Sequence, residues 1–265
     1  MATPPPDHTR RFTGRVDDYL LHRPRYPAST LDFFRAKLGL RPDHVIADIG
    51  SGTGFVAELF LAAGHRVYGV EPNDEMRAAG QRHLARFPNF TSVAATAEAT
   101  TLPTAVADFV VAGQAFHWFD PVPAKIEFAR LLKPGGWVVL LRNELKSNAT
   151  PFQRAYRELA RRFRTDPDLA ARRLVPEFLD PVLTAFFAPA PFTRQIVAHH
   201  EHDLDFAQAL GRMVSFSSIP LPGKPNHDAL ARELRLLFDQ SAENGRVRFA
   251  YDVEVVFGHL NHPRG

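Results

Sequence analysis

Cysteine is absent from the 265 residues, so disulfides, thiolate metal sites and a cysteine nucleophile are excluded. A reducing, cytoplasmic setting is the simplest expectation. Long apolar runs are missing too. No stretch approaches the roughly 20 apolar residues of a membrane helix, and the opening Met-Ala-Thr-Pro-Pro-Pro-Asp-His lacks the apolar segment of a signal peptide. A soluble chain with a frayed start and no membrane partner is expected. Charge of one sign is never concentrated. Lys and Arg exceed Asp and Glu by only 32 to 29, a formal net charge of +3. Arg154, Arg157, Arg161, Arg162 and Arg164 are spread along one helix and read as its solvated face. No nucleic-acid partner is expected, and the Asn/Asp-Pro-Pro-aromatic motif that presents a base amine is also missing. Ser215, Ser217 and Ser218 have no histidine and acid arranged as in a hydrolase elbow, and no internal repeat is visible.

What is present is an alternation. Short apolar runs (Val45 to Ile49, Val67 to Val70, Thr91 to Ala95, Phe109 to Gly113, Trp137 to Leu141) are separated by amphipathic stretches at Phe55 to Ala63, Asp74 to Phe87 and Pro123 to Leu132. Strands that are apolar throughout are buried on both faces, so an α/β fold with a parallel, doubly wound sheet is expected. Gly64 reads as a C-terminal helix cap, Asn73 as an N-cap, and Pro134-Gly135-Gly136 as a turn ahead of a strand. After Arg142 the pattern turns helical, at Pro151 to Arg164 and Leu174 to Phe187. It then returns to β-like runs at Phe192 to His200 and Val247 to Phe257, with further helices at Phe206 to Val214 and His227 to Glu243. Three parts follow: residues 1–40, an N-terminal strap and helix that includes Phe12 and Tyr19 to Pro27; residues 41–143, the ligand-binding core; and residues 144–265, a helical lid insertion with the last two strands.

The chemistry is concentrated in Asp48-Ile-Gly50-Ser51-Gly52-Thr53-Gly54, at the junction of the first strand and first helix, where open parallel sheets bind ligands. Glycines allow close backbone approach, and the loop N–H groups and helix N-terminus are expected to bind a carboxylate or phosphate. Glu71 closes the second strand, where a carboxylate can accept from ribose hydroxyls. Dinucleotides and S-adenosylmethionine both suit such a site. A dinucleotide fingerprint asks for Gly or Ala where Phe55 stands. Asp48 would repel a pyrophosphate but can bond the ammonium of a methionine moiety.

With Ala47 to Gly54, Val70-Glu-Pro-Asn-Asp-Glu-Met76, Ala97-Glu98, Gly113-Gln-Ala-Phe-His-Trp-Phe-Asp120 and Leu132-Lys-Pro-Gly-Gly136, the sequence closely resembles the class I S-adenosylmethionine-dependent methyltransferases. The Phe-His-Trp-Phe segment and the Arg-Pro-x-Tyr-Pro strap resemble the small-molecule branch that includes trans-aconitate and quinone-biosynthesis methyltransferases. The resemblance implies a Rossmann-like, seven-stranded, mostly parallel sheet whose last strand is antiparallel. It implies S-adenosyl-L-methionine as cofactor and S-adenosyl-L-homocysteine as product. It also implies that Asp48, Gly50, Ser51, Gly52, Thr53, Gly54 and Gln114 surround the methionine part, that Glu71 with Pro72 meets the ribose, and that Met76 covers the adenine. Thr96 falls where many relatives carry an adenine-binding Asp, so Ala97 and Glu98 would supply that contact. His117 is the candidate base, or else a loop histidine that orients Trp118. Arg23, Tyr26, Phe116 and Trp118 are the candidate substrate residues, and Arg25 could join Arg23 in a clamp; surface arginines and plain core aromatics are the competing readings. Phe163, Phe178, Phe186, Phe187 and Phe192 suggest an apolar acceptor or ordinary packing. The run His199 to Asp203 puts only two histidines on one strand face, too few for a metal. A small-molecule acceptor and a monomer or homodimer are expected. A cofactor-binding protein without transfer, and a nicotinamide-dependent oxidoreductase, stay open as alternatives.

Overall fold

The structure, a computed structural model, describes residues 16–146, 149–165 and 176–260. The expected frayed start, Phe12, Leu174 at the head of the second insertion helix and the side chain of Phe178 lie outside the described residues. The chain begins with helix α1 (Val16–His22), the strap and α2 (Thr30–Leu38), and then alternates. β1 (Val45–Ile49), α3 (Phe55–Leu61), β2 (Arg66–Val70), α4 (Asp74–Leu84), β3 (Phe90–Val93) and β4 (Ala107–Gly113) lead to a 3₁₀ turn at Phe116–Trp118, α5 (Pro121–Leu131) and β5 (Leu132–Leu145). Then follow α6 (Pro151–Arg162), α7 (Pro176–Phe187), β6 (Phe192–Leu204), α8 (Phe206–Val214), α9 (His227–Ser241) and β7 (Val247–Gly258).

One sheet carries seven strands in the order β3-β2-β1-β4-β5-β7-β6. The first five pair in parallel, and β7 runs antiparallel to both β5 and β6. The parallel sheet with an antiparallel last strand is therefore as the sequence implies. β6 and β7 pair antiparallel at the edge of the sheet, with α8 and α9 between them in sequence. Pro134-Gly135-Gly136 does not precede β5 but bulges from within it. The step from Ala107 to Phe109 on β4 faces the longer step from Leu132 to Trp137, and Gly135 takes a left-handed φ of 78°.

Period-2 alternation splits the strands between two apolar layers. Ile46, Phe109, Val111 and Val139 face α2 and α3, where the fully buried Phe34 meets Phe60 and Phe109 edge-on or tilted. Ala47, Val110, Ala112 and Val138 face α5 and α7. Of the helices after Arg142, α7 completes a face of the sheet, while α6, α8 and α9 pack on Phe249 and Tyr251 of β7. Capping chemistry sets the helix starts. Asn73 accepts from the Met76 N–H, Asp120 from Val122, Thr150 from Gln153, and Asp205 and Gln208 form a reciprocal capping box. Arg154, Arg157, Arg161 and Arg162 are exposed as expected, and Arg164 is half-buried. No helix of the described residues is long and apolar enough to cross a membrane.

Candidate cofactor site

The carboxyl end of β1 delivers Asp48 fully buried beneath the loop. Its Oδ2 accepts from the Ala57 N–H of α3 at 3.0 Å, while Oδ1 has no partner. Burial pushes its pKa up to about 7, opposed by the Ala57 hydrogen bond and aided by the nearby Glu71 charge. Gly50 turns the chain with φ 69°, and a Cβ there would sit 2.6 Å from the Ala115 Cβ.

Four of the loop N–H groups expected to meet a ligand are taken up within the fold. Gly50 and Ser51 both donate to the Val70 carbonyl, Gly54 donates to the Ser51 carbonyl, and Gly52 donates to Glu71 Oε2 at 2.9 Å. Glu71 Oε1 accepts from the Asn73 N–H at 2.8 Å. The Glu71 carboxylate is therefore the brace between the loop and α4, and only its second lone pairs remain for a further donor. Burial raises its pKa against those two hydrogen bonds. The buried side-chain polar atoms without a partner here are Asp48 Oδ1, the Thr53 hydroxyl and the Tyr26 hydroxyl.

Arg23, Tyr26, Asp48, Gly50, Ser51, Gly52, Thr53 and Gln114 line one open cleft, joined by Tyr19, Phe55, Asn143 and Arg212. Gln114 holds a left-handed φ of 56° and donates through Nε2 to the Asn143 carbonyl. Asn143, two residues past the strand predicted from sequence, donates its amide to the strap carbonyls of Pro24 and Arg25 at 3.3 and 3.2 Å. Its Oδ1 must then accept from His200 Nε2 at 2.9 Å, which leaves His200 Nδ1 as the acceptor facing His202 Nε2 at 3.0 Å. Burial, followed by the His202 charge, pulls the His200 pKa down to about 4, so the pair is neutral near pH 7. Both rings lie against Tyr251, and no group of three or more metal-ligating side chains occurs among the described residues.

Other candidates lie elsewhere. Phe116 is buried against Phe186 and Phe119, a core aromatic and not a cleft wall. His117 and Trp118 pack on each other at 4.5 Å in the 3₁₀ turn, and neither lines the cleft. Met76 is buried with Val16 and Ala79, against the underside of the loop at Gly52. Pro72 follows Glu71 outside the cleft lining. Thr96 bridges to Ala99, Ala97 enters the core, and Glu98 accepts from the Asp120 N–H. Gly54 caps α3 in a left-handed conformation. Arg25 turns outward onto Phe55 and pairs with Glu58, so the expected Arg23–Arg25 clamp does not form.

Residues 47–140 match the family model described as a methyltransferase domain. The matched segment is thus similar to methyltransferase domains. An uncharacterised methyltransferase of Mycobacterium tuberculosis is 33% identical over 137 residues, 52% of this chain and 54% of the relative. One from Schizosaccharomyces pombe is 28% identical over 159 residues, 60% of this chain and 62% of the relative. The match thus spans little more than half the length of these curated relatives. A solved structure from Anaeromyxobacter dehalogenans, assigned provisionally to the type II methyltransferases, superposes with TM-score 0.61 at 24% identity, covering 91% of this chain and 99% of that one. The matched segment contributes β1 to β4 and much of β5, while Tyr19, Arg23, Tyr26, Asn143 and Arg212 reach the cleft from outside it.

Proposed function

We propose that the chain transfers the methyl group of S-adenosylmethionine to a small-molecule acceptor. The observation that carries this reading is the buried, half-satisfied Asp48 carboxylate at the carboxyl end of β1, facing the cleft beside a glycine-rich loop. An acceptor oxygen sealed from water with no donor is costly. An α-ammonium group supplies both the missing donor and the compensating charge. The Tyr26 hydroxyl and Thr53 hydroxyl add further unmet polar atoms, and Tyr19 and Phe55, 5.8 Å apart, form an aromatic wall suited to a sulfonium. The bound cofactor supplies an electrophilic methyl, displaced in line by the acceptor.

The chain's own task is then to orient and to exclude water. Residues 41–143 hold the cofactor, the strap within residues 1–40 covers it, and residues 144–265 shape the acceptor side. Burial keeps the Tyr26 phenol well above its usual pKa, so it serves as a hydrogen-bond donor and not as a base. With His117 outside the cleft lining, catalysis in this reading rests on positioning. Calorimetric titration with S-adenosylmethionine, S-adenosylhomocysteine and NAD tests it: the first two bind and Glu71→Ala weakens them. Binding of NAD alone, or of none, overturns it.

A further inference from the structure

The cleft that Asp48 lines also holds two guanidinium groups that make no ion pair with a carboxylate among the described residues. Arg212, on α8, is only 3% exposed, and Arg23 reaches it from the strap. Arg23 Nη2 donates to the Ser215 carbonyl at 3.0 Å, Arg212 Nε to the Tyr251 hydroxyl at 3.3 Å, and both stack on the Phe216 ring, at 4.8 and 4.5 Å. Arg23 Nε and Arg212 Nη1 are buried without partners. The ionisable groups around the pair, among the described residues, include the phenols Tyr19, Tyr26, Tyr156 and Tyr251. Burial, then repulsion from Arg212, pulls the Arg23 pKa down to about 10.

The juxtaposition is built in. A Cβ on Gly211 would lie 2.2 Å from the His22 ring, so glycine at that position lets α8 dock on α1 and brings the neighbouring Arg212 to the strap. Two unpaired cations held together in a buried site are expensive unless an anion joins them, and a guanidinium fork matches the geometry of a carboxylate or phosphate. The cofactor does not remove the imbalance. Its amino-acid end is a zwitterion and its sulfonium is positive, so the cleft with Arg23, Arg212 and one Asp48 becomes more cationic on loading.

We propose that Arg212 and Arg23 form the anion subsite of the acceptor, which is a small acid carrying a carboxylate or phosphate monoester that takes the free N–H groups of both side chains. This rests on the methyltransferase reading of the cleft. The test is titration of the protein saturated with S-adenosylhomocysteine, using inorganic phosphate in one arm and succinate in the other. Expected are binding of at least one oxyanion, a loss of ~10-fold or more in Arg212→Met, partial recovery in Arg212→Lys, and affinity for S-adenosylhomocysteine within about threefold of wild type. The arm that binds distinguishes phosphate from carboxylate. Arg23→Met gives an independent reading if Arg212→Met does not fold. Absence of binding by both oxyanions overturns the proposal. So does weakened binding of S-adenosylhomocysteine with unchanged oxyanion affinity, which would assign the pair to the cofactor's own carboxylate. Failure of S-adenosylhomocysteine to bind wild type would strike the cofactor reading instead, and titrating the cofactor-free protein with the same oxyanions still tests the arginine pair.

Discussion

On the proposed reading, Asp48 makes cofactor affinity depend on pH in a calculable way. In the cofactor-free protein burial holds its pKa at about 7, against a usual value of 3.8. An ammonium ligand binds the ionised carboxylate, so loading must release the proton that Asp48 carries below that pKa. Apparent affinity then scales with the ionised fraction, about one part in 11 at pH 6 and about three quarters at pH 7.5, for a gain of roughly eightfold, or ~1.2 kcal/mol. Over this window the ligand's own ammonium stays largely protonated. The assay is calorimetric titration with S-adenosylhomocysteine at pH 6, 6.5, 7 and 7.5. At pH 6.5, repeating it in two buffers of different ionisation enthalpy counts the released proton. Asp48→Asn keeps an oxygen for the Ala57 N–H but carries no charge; it should bind at least tenfold more weakly at pH 7.5 and lose the pH dependence. A flat wild-type profile, or a substituted protein with unchanged affinity, would refute the assignment of Asp48 to an ammonium.

The same residue has an opposite effect on stability. For an acid whose folded pKa is raised, the neutral form is the favoured one, so its contribution is fully present below pH 3.8 and is lost as pH rises toward 7. Cofactor-free Asp48→Asn should therefore be more stable than wild type at pH 8, by up to about 4 kcal/mol, with the difference shrinking toward pH 4; equal urea midpoints at both pH values would contradict the burial penalty. His117→Ala should leave S-adenosylhomocysteine affinity within about twofold and change turnover, once an acceptor is in hand, by far less than the ~100-fold typical of a lost general base. A collapse of turnover with intact binding would return His117 to the chemistry. Asn143→Ala removes two amide hydrogen bonds to strap carbonyls, each worth about 1 kcal/mol. Faster tryptic cleavage after Arg25 and faster cofactor dissociation are expected, whereas unchanged proteolysis would mean the strap is held by other contacts.

The parallel core was legible because its strands are apolar on both faces, and a sheet buried between two helical layers leaves that mark on each strand. Asp48 and the glycines were legible as a tight loop at the end of β1, because a carboxylate followed by three alternating glycines interrupts an apolar strand. Glu71 was placed correctly but its partners were not, since the Gly52 and Asn73 N–H groups that occupy it are set by the fold of the loop. Phe116 and Met76 looked like site residues and serve as packing, because an aromatic or thioether beside a glycine loop fills space equally well on either side of it. Asn143 was missed because β5 extends past its apolar run, opposite Val253 of the antiparallel β7. Arg212 had no local signature: its place depends on α8 docking at Gly211, a contact between residues far apart in sequence.

The cleft walls come from both flanks of the glycine-loop segment, and the Arg23 contact to Ser215 joins residues 192 positions apart. Closing so long a loop carries an entropic cost that must be met before the contact forms. The β1–β4 framework can therefore gain its local pairings early, while the pocket is completed only when the strap and α8 arrive. Ligand binding would then report the completion of folding, and a nascent or truncated chain with an intact glycine loop would still be unable to load its cofactor.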